Sequence, residues 1–277
     1  MRTPPDDDDD VYRLWDALAD HGAQNTQAAL ALCLRTLCDW TGSQNGYWMG
    51  LVRLSHKPGQ PDLLKGWRIG VSVGMRRPEL TTPARIRHDM PTIQTPTVGA
   101  AAQAIAATAG RFRSFSMCTG IFDPATLEEA EHYFVFDNPP GISNRIWIVA
   151  PVNAGVESLF IFDSYTHGMP FDAALIRRAT QALRGIKWFH RQLLCSHGLG
   201  LCADPLSPAE QRLVPELLNG DHEKVIANRL GLTEATLHQY ATSVYRKFGV
   251  HGRAEFMSLW LRGGALTPHS RQNTTDQ

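Results

Sequence analysis

No charge excess is left on this chain. Lysine plus arginine and aspartate plus glutamate number 27 each, so any affinity for a polyanion must come from local placement rather than from a general field. No apolar run approaches the roughly 20 residues of a membrane span, and no basic-then-apolar leader stands at the start. A soluble, cytoplasmic protein with no membrane partner is therefore expected. The five cysteines, Cys33, Cys38, Cys118, Cys195 and Cys202, are odd in number and form no CxxC pair. Neither a disulfide framework nor a zinc site is indicated, and a reducing compartment fits. GxGxxG, P-loop and HExxH motifs are missing too, so neither an enzyme nor a cofactor is expected. His190 and His197 share a helix face without a third ligand, which argues against a metal. Asp163, Ser164, Tyr165 and His167 are neighbours in sequence, and such neighbours rarely reach triad geometry.

What is present is an ordinary globular composition, 43% hydrophobic and 19% charged, which argues against extended disorder. At 277 residues two domains and a linker are the first expectation. Residues 1–10 end in five aspartates and read as a solvated acidic tail. The N-terminal domain should span 11–170, a linker helix 171–202, a C-terminal helical domain 203–264 and a second tail 265–277.

The C-terminal quarter is the most informative. In LSPAEQRLVPELLNG, Ser207 can cap a helix, Pro208 suits its first position and Glu210 completes a capping box. Leu213, Val214, Leu217 and Leu218 form its apolar stripe and Gly220 its stop, while Pro215 should kink it. A second helix runs from about His222 to Leu230 with Val225, Ile226 and Leu230 inward, and ends at Gly231. Thr233 then caps a third helix that reaches Gly249. Two helices joined by so short a glycine turn form a helix-turn-helix, whose second helix enters the major groove of DNA. At about 100° per residue, Leu237, Ala241, Val244 and Phe248 share one side as core. Ala235, His238, Gln239, Thr242 and Arg246 lie opposite, where polar and cationic groups can meet base edges and phosphates. Gln239 suits adenine and His238 guanine. Lys224, Thr233, Thr236 and Lys247, at helix starts or flanks, suit phosphates.

Leu206 to Leu261 resembles the LuxR-type (GerE- or NarL-like) helix-turn-helix domain. The resemblance runs through LSPAE, the Gly220 turn, Lys224 with Ile226-Ala227, RLGLTEAT at 229–236, RKFGV at 246–250 and Arg253-Ala254-Glu255. It implies a bacterial transcriptional regulator that binds double-stranded operator DNA, with His238, Gln239 and Thr242 at base-reading positions and Lys224, Thr233 and Thr236 on phosphates. This chain departs from the family in having His238 where lysine is usual, Tyr240 where histidine is, and Val225 where an acidic residue is common. The family also implies a homodimer, with Phe256 and Trp260 of a fourth helix either at the contact or closing the domain core. Related alternatives are a sigma-factor-like or polymerase-interacting module, and a ligand-binding or interaction protein whose helix-turn-helix no longer binds DNA.

The N-terminal part reads as α+β. A helix is expected over Val11–Trp40, strands over Gly46–Leu54 and Leu63–Ser72, and a loop over Arg77–Pro96. A helix over Val98–Ala109, a strand over Arg111–Met117 and a helix over Pro124–His132 follow. Arg145–Val152 and Val156–Asp163 should close the sheet as a hairpin across Asn153-Ala-Gly155. Helices around an antiparallel sheet in this order resemble a GAF-type sensory domain, with PAS as the alternative, which implies a small-molecule or protein effector. Tyr47, Trp48, Trp67, Trp147, Phe160 and Phe162 are the aromatics of that sheet. In Asp172–Ser196, Leu175, Leu183, Ile186 and Phe189 fall near heptad spacing and could pair with a twin helix. Arg177, Arg184 and Arg191 recur every seven residues on another face.

Overall fold

Trp48, Phe160 and Phe162 are wholly buried, and a five-stranded antiparallel sheet is built around them. The structure, a computed structural model, describes residues 7–54, 62–75, 100–116, 144–165, 172–199 and 206–261. The strands are β1 (Asn45–Arg53), β2 (Trp67–Gly74), β3 (Arg113–Ser116), β4 (Asn144–Asn153) and β5 (Val156–Ser164), in the order β2-β1-β5-β4-β3. The helices are α1 (Asp7–Ala19), α2 (Thr26–Thr41), α3 (Ala100–Ala107), α4 (Ala173–Gly185), α5 (Lys187–Ser196), α6 (Pro208–Leu218), α7 (Glu223–Leu230), α8 (Glu234–Phe248) and α9 (Arg253–Leu261). The fold is α+β in its N-terminal part and helical in its C-terminal part. The chain divides into two compact units at His190/Arg191, with residues 23–26 grouped with the second.

Central β5 is buried at every position, because both faces of the sheet are covered. That burial explains why its middle, Leu159 to Phe162, is a continuous apolar run instead of a strict alternation. On one face Tyr47, Met49, Leu51, Trp67, Phe115, Trp147, Val149, Leu159 and Ile161 pack with Ala101, Ala102, Ile105 and Ala106 of α3. On the other lie Trp48, Ile146, Ile148, Phe160 and Phe162, all essentially inaccessible. The β4–β5 hairpin closes as expected, with Asn153 paired to Val156 and the Asn153 side chain accepting from Gly155 N at 2.8 Å.

Several boundaries differ from expectation. The helix expected over 11–40 is two helices, since Gly22 takes a left-handed φ of 62° and a short 3-10 turn, Ala23–Asn25, intervenes. The acidic run is not all tail: α1 begins at Asp7. Carboxylates are stabilising at a helix N-terminus, and Asp10 is paired with Arg13 and Arg178. The second strand starts at Trp67 rather than Leu63. Residues 62–66 instead form a turn in which the Asp62 carboxylate accepts from Leu64 N at 3.0 Å and Gly66 N at 2.7 Å. The segments Arg77–Pro96 and Pro124–His132 lie outside the described residues.

The expected linker helix is also two helices, broken at Ile186 (φ −102°, ψ 49°). The carbonyls of Ala182 and Leu183, which an unbroken helix would offer to the next turn, accept from side chains. Trp15 Nε1 lies 2.9 Å from Ala182 O and His190 Nε2 lies 2.8 Å from Leu183 O. Gly185 permits this approach, since a Cβ there would stand 2.1 Å from the Trp15 ring. With α4 packed on α1 and β4, Leu183, Ile186 and Phe189 are 0–1% exposed. Those three expected dimer contacts are therefore interior residues, and the heptad-like spacing records packing within the chain. Leu175 is half-buried.

Candidate nucleic-acid interface

Helix α6 of the C-terminal unit begins with the capping box read from the sequence. Ser207 Oγ accepts from Glu210 N at 3.3 Å, and Glu210 Oε2 accepts from Ser207 N at 2.6 Å. Helix α6 continues through Pro215. The Glu210 carboxylate does more than cap: it accepts from Ser243 Oγ at 2.8 Å and pairs with Lys247 Nζ at 2.6 Å, both on α8. This corrects the placement of Lys247, which holds α8 onto α6 through a nearly buried ion pair. Burial works to raise the Glu210 pKa, but the bonds from Lys247, Ser207 and Ser243 outweigh it and bring the carboxyl down from 4.5 to about 2. A carboxyl so depressed contributes stability that is fully present above its unfolded value and is lost as pH falls toward 2. Glu210→Ala is accordingly expected to lower the melting temperature of the C-terminal unit at pH 7, with the difference shrinking between pH 4.5 and pH 2. A pH series of melts checks this.

Helix α7 ends at Gly231 (φ 67°), where Leu232 N donates to Ala227 O at 2.9 Å. Ile226 and Ala227 are buried with Leu230 against the same core, but Val225 is 46% exposed. It was expected inward. At 100° per residue, however, it sits about 150° from the centre of the stripe defined by residues 226, 227 and 230. Thr233 then caps α8, accepting from Thr236 N at 3.1 Å, with the two hydroxyls 2.8 Å apart.

In α8, Leu237, Ala241, Val244 and Phe248 are buried. Ala235, His238, Gln239, Thr242 and Arg246 are all exposed, as is Lys224. The exposed groups thus share one continuous side, opposite the core. Phe256 of α9 is 0% exposed and packs edge-on against Phe248 at 5.0 Å. It closes the domain core, a correction to its expected dimer role. The Trp260 side chain lies outside the described residues.

Sequence reasoning missed the roles of two arginines. Arg253 donates through Nε to Leu217 O at 2.7 Å and also reaches Asp221 O and Glu216 O. It satisfies the carbonyl end of α6, a role described for cations near helix C-termini. Arg229 pairs with Glu216 and Asp221. The only advance signal was the placement of both near acidic or terminal segments.

In the N-terminal unit the sheet aromatics fall into two groups. Trp48, Phe160 and Phe162 belong to the interior face. Tyr47, Trp67 and Trp147 share the α3 face with two buried bidentate ion pairs, one at either end of β5. Arg113 reaches Glu157 at 2.7 and 3.0 Å, and Arg145 Nη2 reaches Asp163 at 2.8 Å. Burial, with the Asp163 carboxylate nearby, raises the Tyr47 hydroxyl pKa, so this phenol stays protonated and accepts from Asn45 Nδ2 at 2.6 Å. Asp163, considered as a triad member, is an ion-pair partner. Of the arginine stripe, Arg177 and Arg184 line a shallow groove of about 350 Å3 with Ser114, Ile176, Thr180 and Gln181.

Three helices with a three-residue cap-and-turn, Gly231 to Thr233, before an outward-facing third, closed by a fourth, define a helix-turn-helix domain. Residues 204–260 match the family model GerE, described as bacterial regulatory proteins, luxR family. No curated protein matches the chain. Among solved structures it is similar to "SdiA in complex with octanoyl-rac-glycerol", at 11% identity and a TM-score of 0.36, over 98% of this chain and 100% of that one. It is also similar to Escherichia coli SdiA, at 11% identity and a TM-score of 0.32, over 89% and 92%. Among the described residues no helix is long and apolar enough to cross a membrane.

Proposed function

We propose that the chain is a bacterial transcriptional regulator whose C-terminal domain binds operator DNA through the exposed side of α8, under the control of a signal received by the N-terminal unit. The observation that carries this reading is the division of α8. One side is entirely core, while His238, Gln239, Thr242 and Arg246 on the other remain open to solvent within a segment that matches the luxR family. The protein's role is regulatory rather than catalytic.

His238, Gln239 and Thr242 read base edges, while Lys224, Thr233, Thr236 and Arg246 meet phosphates and fix the register. Between Leu206 and Arg262 the seven cations exceed the six acids by one. Three of those cations, Arg229, Lys247 and Arg253, are committed to internal contacts. A single head therefore neutralises few phosphates, and the protein acts as a homodimer presenting two heads, as affinity that depends on counterion release requires. The sheet and its covering helices support a sensory unit of GAF or PAS kind. Its effector is a small molecule or a protein.

Selection of bound fragments from random duplexes by the full-length protein tests the DNA reading. His238→Ala, Gln239→Ala and Thr242→Ala should each relax preference at separate positions, costing about 1–3 kcal/mol per contact, whereas Lys224→Ala should weaken all sequences alike. Selection profiles identical to wild type in all three base-face variants would mean that another surface meets the DNA.

A further inference from the structure

We infer that Glu223 is a specificity-determining residue: by holding His238 it turns that side chain into a hydrogen-bond acceptor, which selects cytosine or adenine over guanine. The inference rests on the reading of His238 as a base contact and specifies which base it reads. Glu223 lies in the first turn of α7, and its Oε2 stands 3.3 Å from His238 Nδ1 on α8. The two side chains are 41% and 70% exposed, so the pair sits at the surface offered to DNA.

A carboxylate has lone pairs and no proton to give, so the hydrogen of this bond belongs to Nδ1. In a neutral imidazole only one ring nitrogen carries hydrogen. Nε2, at the far side of the ring from Glu223, is then left with a lone pair. In the major groove guanine offers two acceptors, O6 and N7, whereas cytosine offers its N4 amino group and adenine its N6 amino group. An acceptor at Nε2 meets the amino groups and is repelled by guanine. The carboxylate beside it works in the same direction, since Glu oxygens themselves accept from cytosine N4. Without Glu223, the ring is released to place hydrogen on Nε2 and donate to guanine, the pairing that the sequence alone suggested for His238.

Two measurements test this, both on the full-length protein at pH 8. In random-duplex selection, wild type should favour cytosine or adenine at the position lost in His238→Ala. Glu223→Ala should shift that position toward guanine by about tenfold and leave the other positions unchanged. Nitrogen-15 spectra of His238 without DNA should show hydrogen on Nδ1 in wild type and a shift toward Nε2 in Glu223→Ala, a readout that does not depend on binding. Guanine at the His238-dependent position in wild type, or no change there in Glu223→Ala, overturns the inference while leaving His238 a base contact. A profile unaltered by His238→Ala overturns both readings.

Discussion

Glu157→Leu is expected to destabilise the N-terminal unit by about 3–5 kcal/mol, because removing one member of a buried ion pair strands the other. Glu157 is 1% exposed and its partner Arg113 is 6% exposed. The carboxylate also accepts from Gly110 N at 2.7 Å, and the guanidinium donates to Ile105 O and Arg111 O, each at 2.8 Å. The pair thus ties the end of α3 and the turn after it to β5. Adding Arg113→Met should recover part of the loss, since the uncompensated charge goes while the orphaned carbonyls remain. Six of the seven tryptophans, residues 15, 40, 48, 67, 147 and 188, precede His190, so denaturant unfolding followed by tryptophan emission reports this unit. A single variant within 1 kcal/mol of wild type (about one fifth to one third of the expected effect), or a double variant worse than the single, would contradict the assignment.

The second large effect concerns His190. Its Nε2 donates to Leu183 O, so Nδ1 accepts the Ser158 hydroxyl proton at 2.8 Å, and Ser158 Oγ in turn accepts from Trp48 Nε1 at 2.8 Å. The ring also stands edge-on to Phe160 at 5.6 Å. The hydrogen bonds from Trp48 through Ser158 and His190 to Leu183 are all made only while the imidazole is neutral. Burial lowers the His190 pKa from 6.5 to about 4, against the opposing pull of the Leu183 carbonyl. Between those values the unfolded chain binds a proton that the folded chain refuses. Stability is therefore complete above pH 6.5, falls as the pH drops, and has lost roughly 3 kcal/mol by pH 4. His190→Ala should lose about 2–4 kcal/mol at pH 7.5 through the unpaired Leu183 carbonyl and the vacated ring volume. It should also flatten the stability slope between pH 4 and 6.5. The remaining slope includes the share of His197, whose pKa burial lowers in the same way. An unchanged slope would show that His190 titrates freely.

The helix-turn-helix was legible because its signals are local. Ser207 and Glu210, Gly231, and Thr233 each settle a boundary within a few residues, and the 100° rotation from Leu237 through Phe248 settles which side of α8 is core. The errors came from long-range partners. Lys247 reads locally as a phosphate contact, but Glu210, 37 positions earlier, holds it. The break at Ile186 depends on Trp15, whose indole takes a carbonyl 167 positions away, and no local pattern announces that. The heptad-like Leu183, Ile186 and Phe189 belong to a helix covered by its own chain, and periodicity cannot distinguish that from a seam between two chains. In the sheet, composition showed the aromatics but not that Trp48, Phe160 and Phe162 face away from Tyr47, Trp67 and Trp147.

The central claim is that the exposed side of α8 lies in a duplex groove with Lys224 on a phosphate. Titrating salt against the full-length protein bound to its selected duplex tests it most directly, because each neutralised phosphate adds about 0.9 to the slope of log K against log salt. Wild type should bind with a steep negative slope, and Lys224→Ala should reduce that slope by about 1 for each head engaged. No duplex binding at low salt, or a slope unmoved by Lys224→Ala, would contradict the account.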